Sequence, residues 1–258
     1  MSIMVIAKAT FGEAWRKKIL NIFLLVAIAL IAFSVSFAFF SEREEMIIIK
    51  SMGLGVIAIA GMFIAVVMGI NLIPSEIDKR TIYTILSKPV KRHEFLLGKF
   101  VGGVLTLLVN LSLMTVVFMA MVAWKMGWHV EWALLKGILM IFFQVFLLTS
   151  LAILFSVFTT PVVNFFLTSA MYIIGSLSSV TLSLSRLPEK ALIVRWFFAF
   201  LHYVVPNFAN FFTQNPLIHP EVVIKNELTY YVENILYAIV YASVVLIIAI
   251  LLFERREV

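Results

Sequence analysis

The chain has 258 residues, 63% of them apolar and only 13% charged, with a mean hydropathy of +1.08. Soluble domains carry roughly 25% charged residues, so this composition excludes a soluble globular fold and specifies an all-α integral membrane protein. A net charge of +6 without cysteine excludes disulfides and thiolate-ligated zinc; the basic residues flank apolar runs, which points to anionic lipid and membrane orientation rather than nucleic acid.

Residues 3–18 come first. On a helical wheel Met4, Ala7, Phe11, Ala14 and Trp15 share one face, while Lys8, Thr10, Glu13, Arg16 and Lys17 share the other. That pattern predicts an interfacial elbow helix on the cytoplasmic leaflet, with Trp15 at headgroup level, rather than a plain extension of the first span into water. The segment is not expected to be a cleaved signal. The apolar run after it is too long for a signal core, and no A-x-A-like site follows.

Six uncharged runs follow, each near the ~20 residues a helical span requires. They are residues 19–40, 51–73, 100–124, 137–160, 161–185 and 235–253, within a single domain of 1–258. The fourth and fifth are continuous, and Thr159-Thr160-Pro161 is the place to turn. Six spans put both termini on one side. With the N-terminus inside, the inner segments hold twelve of the twenty Lys and Arg residues and the longer outer segments hold eight. Short basic loops decide orientation, so both termini are expected in the cytoplasm.

The outer segment 186–234 contains WFFAFLHYVVPNFANFFTQNPLIHP at 196–220, which has no Asp, Glu, Lys or Arg. Pro206, Asn207, Asn210, Gln214, Asn215, Pro216 and Pro220 interrupt it, so it is read as re-entrant or interfacial aromatic helices rather than a seventh span.

Several chemistries have no residues to carry them. There is no phosphate-binding GxxxxGK[ST] loop, no HExxH and no GxSxG elbow. The histidines, His93, His129, His202 and His219, lie outside the six runs and share no i,i+4 spacing. The runs hold no ionisable Asp, Glu, Lys or Arg, whereas ion-driven carriers keep such a group near the midplane. Their polar groups are neutral. Asn110, Gln144 and Asn164 either bond helix to helix or line a path between helices. Gly98 and Gly102 form a GxxxG that reads as close packing.

The stretch Pro74–Lys99, PSEIDKRTIYTILSKPVKRHEFLLGK, is the long polar segment of the N-terminal half and carries six of the Lys and Arg residues. Pro74 ends the second span, Ser75 and Asp78 make an S-x-x-[DE] capping pattern, and Glu76 and Asp78 suit the helix dipole. Pro89 closes this short helix, and a second helix starts near Lys91-Arg92-His93-Glu94. Two readings fit a patterned helix here: rest on lipid headgroups, or docking into a groove of a soluble protein.

The residues closely resemble the intracellular loop of ABC-2-type permeases, approximately E-x-E-x-G-T-[LI]-x-x-[LI]-L-[ST]-x-P-[IV]-[ST]-R-x-[EQ]-[FIL]-x-x-G-K. Glu76, Asp78, Thr81, Ile82, Ile85, Leu86, Ser87, Pro89, Val90, Arg92, Glu94, Phe95, Gly98 and Lys99 match in register, while Arg80 replaces the usual Gly and Lys91 the usual Ser or Thr. The elbow, the six spans and the broken outer segment with its VVPNF core extend the resemblance to the whole chain, closest to the compact permeases of the kind that accompany nitrous oxide reductase maturation.

The resemblance implies the membrane subunit of an ATP-driven ABC exporter of the type V kind in the plasma membrane. Glu76–Lys88 would be a coupling helix. Glu76, Asp78, Arg80, Ile82, Tyr83, Leu86, Ser87, Pro89 and Arg92 would meet a separate nucleotide-binding ATPase subunit. ATP and magnesium would be bound by that partner, with no cofactor in this chain. Two permeases, identical or paralogous, and two ATPases would form the complex among membrane lipid. The alternatives from other classes are a secondary carrier or channel, a membrane-embedded enzyme and a non-transporting scaffold. The first lacks a charged span, and the second lacks a clustered catalytic set.

Overall fold

A computed structural model describes residues 3–37, 45–72, 91–125, 128, 131–186, 192–212 and 226–255. Among them every regular element is helical. In order these are α1 (Ile3–Trp15), α2 (Lys18–Phe37), α3 (Glu45–Leu72), α4 (Arg92–Lys125), α5 (Ala133–Phe158), α6 (Pro161–Ser176), α7 (Ser178–Arg186), α8 (Leu192–Val204), a 3-10 helix (Phe208–Phe211) and α9 (Glu227–Arg255).

Four helices, α3, α4, α5 and α9, are each long and apolar enough to cross a membrane. Two more crossings arise if each of two bent pairs counts as one span: α1 with α2, bent by 65°, and α6 with α7, bent by 68°. Ion pairs at the helix ends define two faces. On one, Lys50 meets Glu131 at 2.6 Å, Lys136 meets Glu227 at 2.7 Å, and Lys125 pairs with Glu45. On the other, the start of α4 touches the end of α9, beside α1. We call these the outer face, after the orientation expected from the sequence, and the elbow face.

The core is built around α5, which packs on α3, α9, α4 and α6. Hydrocarbon outside gives helices little hydrophobic reason to associate, so close approach of small residues carries much of the cohesion. A Cβ placed on Gly69 of α3 would fall 2.1 Å from Cβ of Ala152 on α5. The chain then leaves α5 through extended Thr159 and Thr160, and Pro161 starts α6 at the position where a missing N–H costs nothing.

The structure adds detail to two expectations. On the elbow, part of the face assigned to water packs on protein. Ile6, Ala7, Thr10 and Ala14 are buried against α4, while Met4 and Trp15 are about half exposed, at 57% and 45%. The reason lies in α4: a Cβ on Gly98 would come within 2.6 Å of Cβ of Ile6, and one on Gly102 within 2.7 Å of the Ala7 carbonyl oxygen. The GxxxG is therefore the seat of the elbow. Thr10, assigned to the polar face, donates its hydroxyl to the Ile6 carbonyl at 2.9 Å and packs as a small apolar residue. The second concerns the run 161–185, which is two helices bent by 68° at a break at Leu177.

Candidate functional site

Of the residues expected to meet an ATPase subunit, Glu76, Asp78, Arg80, Ile82, Tyr83, Leu86, Ser87 and Pro89 lie outside the described residues. Arg92 is described, and it opens α4. The Lys91 backbone N–H donates to Glu94 Oε2 at 3.3 Å, the reciprocal half of a capping box, which starts the helix where the sequence predicts. Arg92 Nη1 donates to two carbonyl oxygens at the end of α9, Phe253 at 2.9 Å and Glu254 at 3.1 Å. The last carbonyls of a helix are short of intrahelical donors, and a cation there complements the negative end of the helix dipole. The guanidinium also stands 5.9 Å from the Phe253 ring centre, and Phe253 stacks on Phe95 at 6.1 Å.

One turn further along α4, Lys99 is buried at 4% exposure. Its ammonium lies 3.7 Å from Glu13 of α1 and 5.7 Å from the Phe95 ring centre, and Glu13 also pairs with Lys17 at 3.6 Å. The C-terminal end of the expected coupling motif, Arg92 to Lys99, is thus joined to both the elbow and the last helix.

Asn110, Gln144 and Asn164 are all buried inside the chain. Asn110 Nδ2 donates to the Thr106 carbonyl at 2.8 Å within its own helix. Asn164 Nδ2 reaches from α6 to the Ala152 carbonyl of α5 at 2.9 Å and accepts from Thr168 Oγ1 at 2.8 Å. Gln144 Nε2 donates to the Phe208 carbonyl at 3.4 Å. Two of the three therefore bond one element to another, and the bond from Gln144 leads to the outer segment.

That segment folds back against the helices. α7 and α8 form a hairpin in which His202 Nδ1 lies 3.2 Å from Ser178 Oγ, and Arg195 Nε donates to the Ser185 carbonyl at 3.3 Å. After α8 the chain turns back beneath the outer face, with Phe208 and Phe211 fully buried. A Cβ on Gly175 of α6 would lie 2.3 Å from the Pro206 carbonyl oxygen, so only glycine lets the returning strand of chain approach there.

Three tyrosines of α9 hold the returning chain by its backbone. Tyr241 OH donates to the Val204 carbonyl at 2.8 Å, Tyr237 OH accepts from the Asn207 N–H at 3.0 Å, and Tyr230 OH donates to the Asn210 carbonyl at 2.6 Å. Spacings of seven and four put the three rings on one stripe of the helix. Their order along α9 is the reverse of the order of their partners, so Val204 lies deepest and Asn210 nearest the outer face. From Tyr241 to Tyr230 the rise is about 16 Å, roughly half the hydrocarbon thickness.

Reasoning from sequence missed Glu13, Phe253 and the three tyrosines. The i, i+7, i+11 tyrosine spacing at 230, 237 and 241 is the one signal that was available. Among the described residues no group of three or more His, Asp or Glu side chains could hold a metal ion.

Comparison with known proteins gives one family. The family model described as ABC-2 family transporter protein matches residues 4–258. No curated protein matches the chain.

Proposed function

We infer the function from a premise that a match over almost the whole length establishes: the chain belongs to the ABC-2 transporter family. It is a multi-pass membrane protein of the permease kind, a membrane subunit in a family where the ATPase lies in a separate subunit. We propose that it couples ATP hydrolysis by that partner to export of a substrate across the plasma membrane, with both termini cytoplasmic. Residues 75–88 act as the coupling helix, two permeases pair with two ATPases, and ATP and magnesium bind only the partner.

The observation that carries this reading is the family match, joined to the in-register motif from Glu76 to Lys99. Support comes from the spans, which lack the charged midplane groups that a carrier driven by an ion gradient would use. The bonds of Asn110 and Asn164 inside one chain, or within one helix, favour a substrate path between two permeases over one through a single bundle.

The test is a mild-detergent purification of the tagged protein from its native membrane, with identification of stoichiometric partners. A soluble subunit bearing a phosphate-binding loop is expected, and its ATP hydrolysis should lose coupling to the permease in a Tyr83→Asp, Leu86→Asp variant. A homo-oligomer free of any ATPase under repeated gentle extraction would overturn the exporter reading. Undiminished permease-stimulated hydrolysis in the double variant would overturn the coupling-helix assignment alone.

A further inference from the structure

We propose that α9 is a rigid tie rod: it joins the end of the coupling motif on the elbow face to the re-entrant segment under the outer face, so that the two move together. This rests on the permease reading above.

Both ends of the rod are jointed by directional bonds. At the elbow face Arg92, three residues after Pro89 of the motif, donates to the carbonyls of Phe253 and Glu254 at 2.9 and 3.1 Å, with Phe95 stacked on Phe253. At the outer half Tyr230, Tyr237 and Tyr241 bond the main chain at Asn210, Asn207 and Val204. From Phe253 to Tyr230 the helix rises about 34 Å, the thickness of a hydrocarbon core.

The rod itself suits transmission. Glu227–Arg255 contains neither Pro nor Gly, the usual sites of kinks, so it is built to move as one body. It packs on α5 and α4 along one side only. The rest of its surface, including Leu236, Val240, Val244 and Leu251, is exposed and apolar, and lipid tails hold such a surface with no preferred position. The lipid side sets no position for the rod, so its place is fixed by the joints at its two ends together with its packing on α5.

The joints also explain an otherwise unneeded feature. A re-entrant segment must satisfy backbone groups at membrane depth, and any neighbour could do so. Here the three tyrosines assign that task to α9, the same helix that Arg92 grips. A displacement imposed on the motif is thereby delivered to Val204–Asn210, the part of the chain that shapes the outer half of the bundle.

The experiment uses the reconstituted permease–ATPase complex in lipid nanodiscs. The chain has no cysteine, so Phe212→Cys, at an exposed position just after the 3-10 helix, supplies one thiol. A membrane-impermeant maleimide then reports its reactivity without nucleotide and after trapping with ATP and vanadate. The expected result is a change in labelling rate of about fivefold or more between the two states. Two joint variants on this background should reduce that change to within about twofold while ATP hydrolysis continues. One is Tyr237→Phe with Tyr241→Phe, which removes only hydroxyls; the other is Phe253→Leu at the opposite end.

A change in rate that survives in both variants overturns the tie rod, as does its absence in Phe212→Cys when vanadate trapping demonstrably occurs. If no ATPase assembles with the chain at all, the permease reading fails first and the tie rod falls with it.

Discussion

Glu13 of the elbow and Lys99 of the first long span after the motif are 86 positions apart, yet their charged groups stand 3.7 Å from each other. Lys99 is 4% exposed, so its charge depends on what surrounds it. Removing the Glu13 charge takes one of its partners from Lys99 in a poorly solvated place. Glu13→Gln should lower stability by about 1–2 kcal/mol, less than for a fully buried pair because the Glu13 side chain is a third exposed. Lys99→Met added to Glu13→Gln should recover most of that loss. A thermal midpoint in detergent measures both, and an unrecovered double variant would show that the elbow is not held by this pair.

The seat beneath the elbow predicts opposite outcomes for two glycines. Gly102→Ala places a methyl group 2.7 Å from the Ala7 carbonyl oxygen and 2.6 Å from Cβ of Thr10, both part of a packed helix. Such overpacking costs about 1–3 kcal/mol. Gly12→Ala on α1 meets nothing within 4 Å and replaces the poorest ordinary helix former, so it should be neutral or stabilising by about 0.5–1 kcal/mol. Equal midpoints for the two variants would remove the seat from the account.

These two contacts also mark the limit of what the sequence discloses. Spans are legible because a bilayer demands about twenty apolar residues in a row, a property of a local window. The start of α4 is legible for the same reason, since Lys91 and Glu94 form their cap three residues apart. The buried face of α1 is not local. It is chosen by Gly98 and Gly102, and it turns Thr10 inward although a wheel assigns that residue to water. The break at Leu177 is only half legible, because Gly175, Ser176, Ser178 and Ser179 flank it without saying that the helix bends there by 68°. Gly175 is needed because Pro206 approaches it, which no window around either residue contains. The interruption of the outer segment could be read from its prolines and asparagines. Which helix anchors it could not, because Tyr241 and Val204 meet across 37 positions.

Asn164 offers a separation of packing from transport. Its amide bonds the Ala152 carbonyl of α5 and accepts the Thr168 hydroxyl, with the side chain fully buried. Asn164→Leu keeps the volume and removes both bonds, which in membrane helices are worth about 0.6–2 kcal/mol. The expected result is a lower thermal midpoint, with Thr168→Val giving a smaller drop in the same direction. Unchanged stability with altered substrate handling would instead make Asn164 part of the substrate path.

The depth of the outer segment leads to a prediction about sidedness. Val204 bonds Tyr241 halfway along the exposed flank of α9, whereas Asn210 bonds Tyr230 close to the Glu227 end, so the chain from Val204 to Asn210 climbs back toward that end. Residues on both sides of the dip therefore share a compartment. Single thiols at Ile193→Cys and Phe212→Cys, both exposed, should react with an impermeant maleimide added to intact cells. A reporter fused after Val258 should read cytoplasmic, because α9 then carries the chain across once and the basic Arg255-Arg256 end stays inside. If residues 196–220 crossed the membrane instead, Ile193 and Phe212 would label from opposite sides and the reporter would move outside. Joint labelling of the two thiols from outside, together with a cytoplasmic reporter, excludes a seventh span and fits a segment that dips into the membrane or lies along its surface.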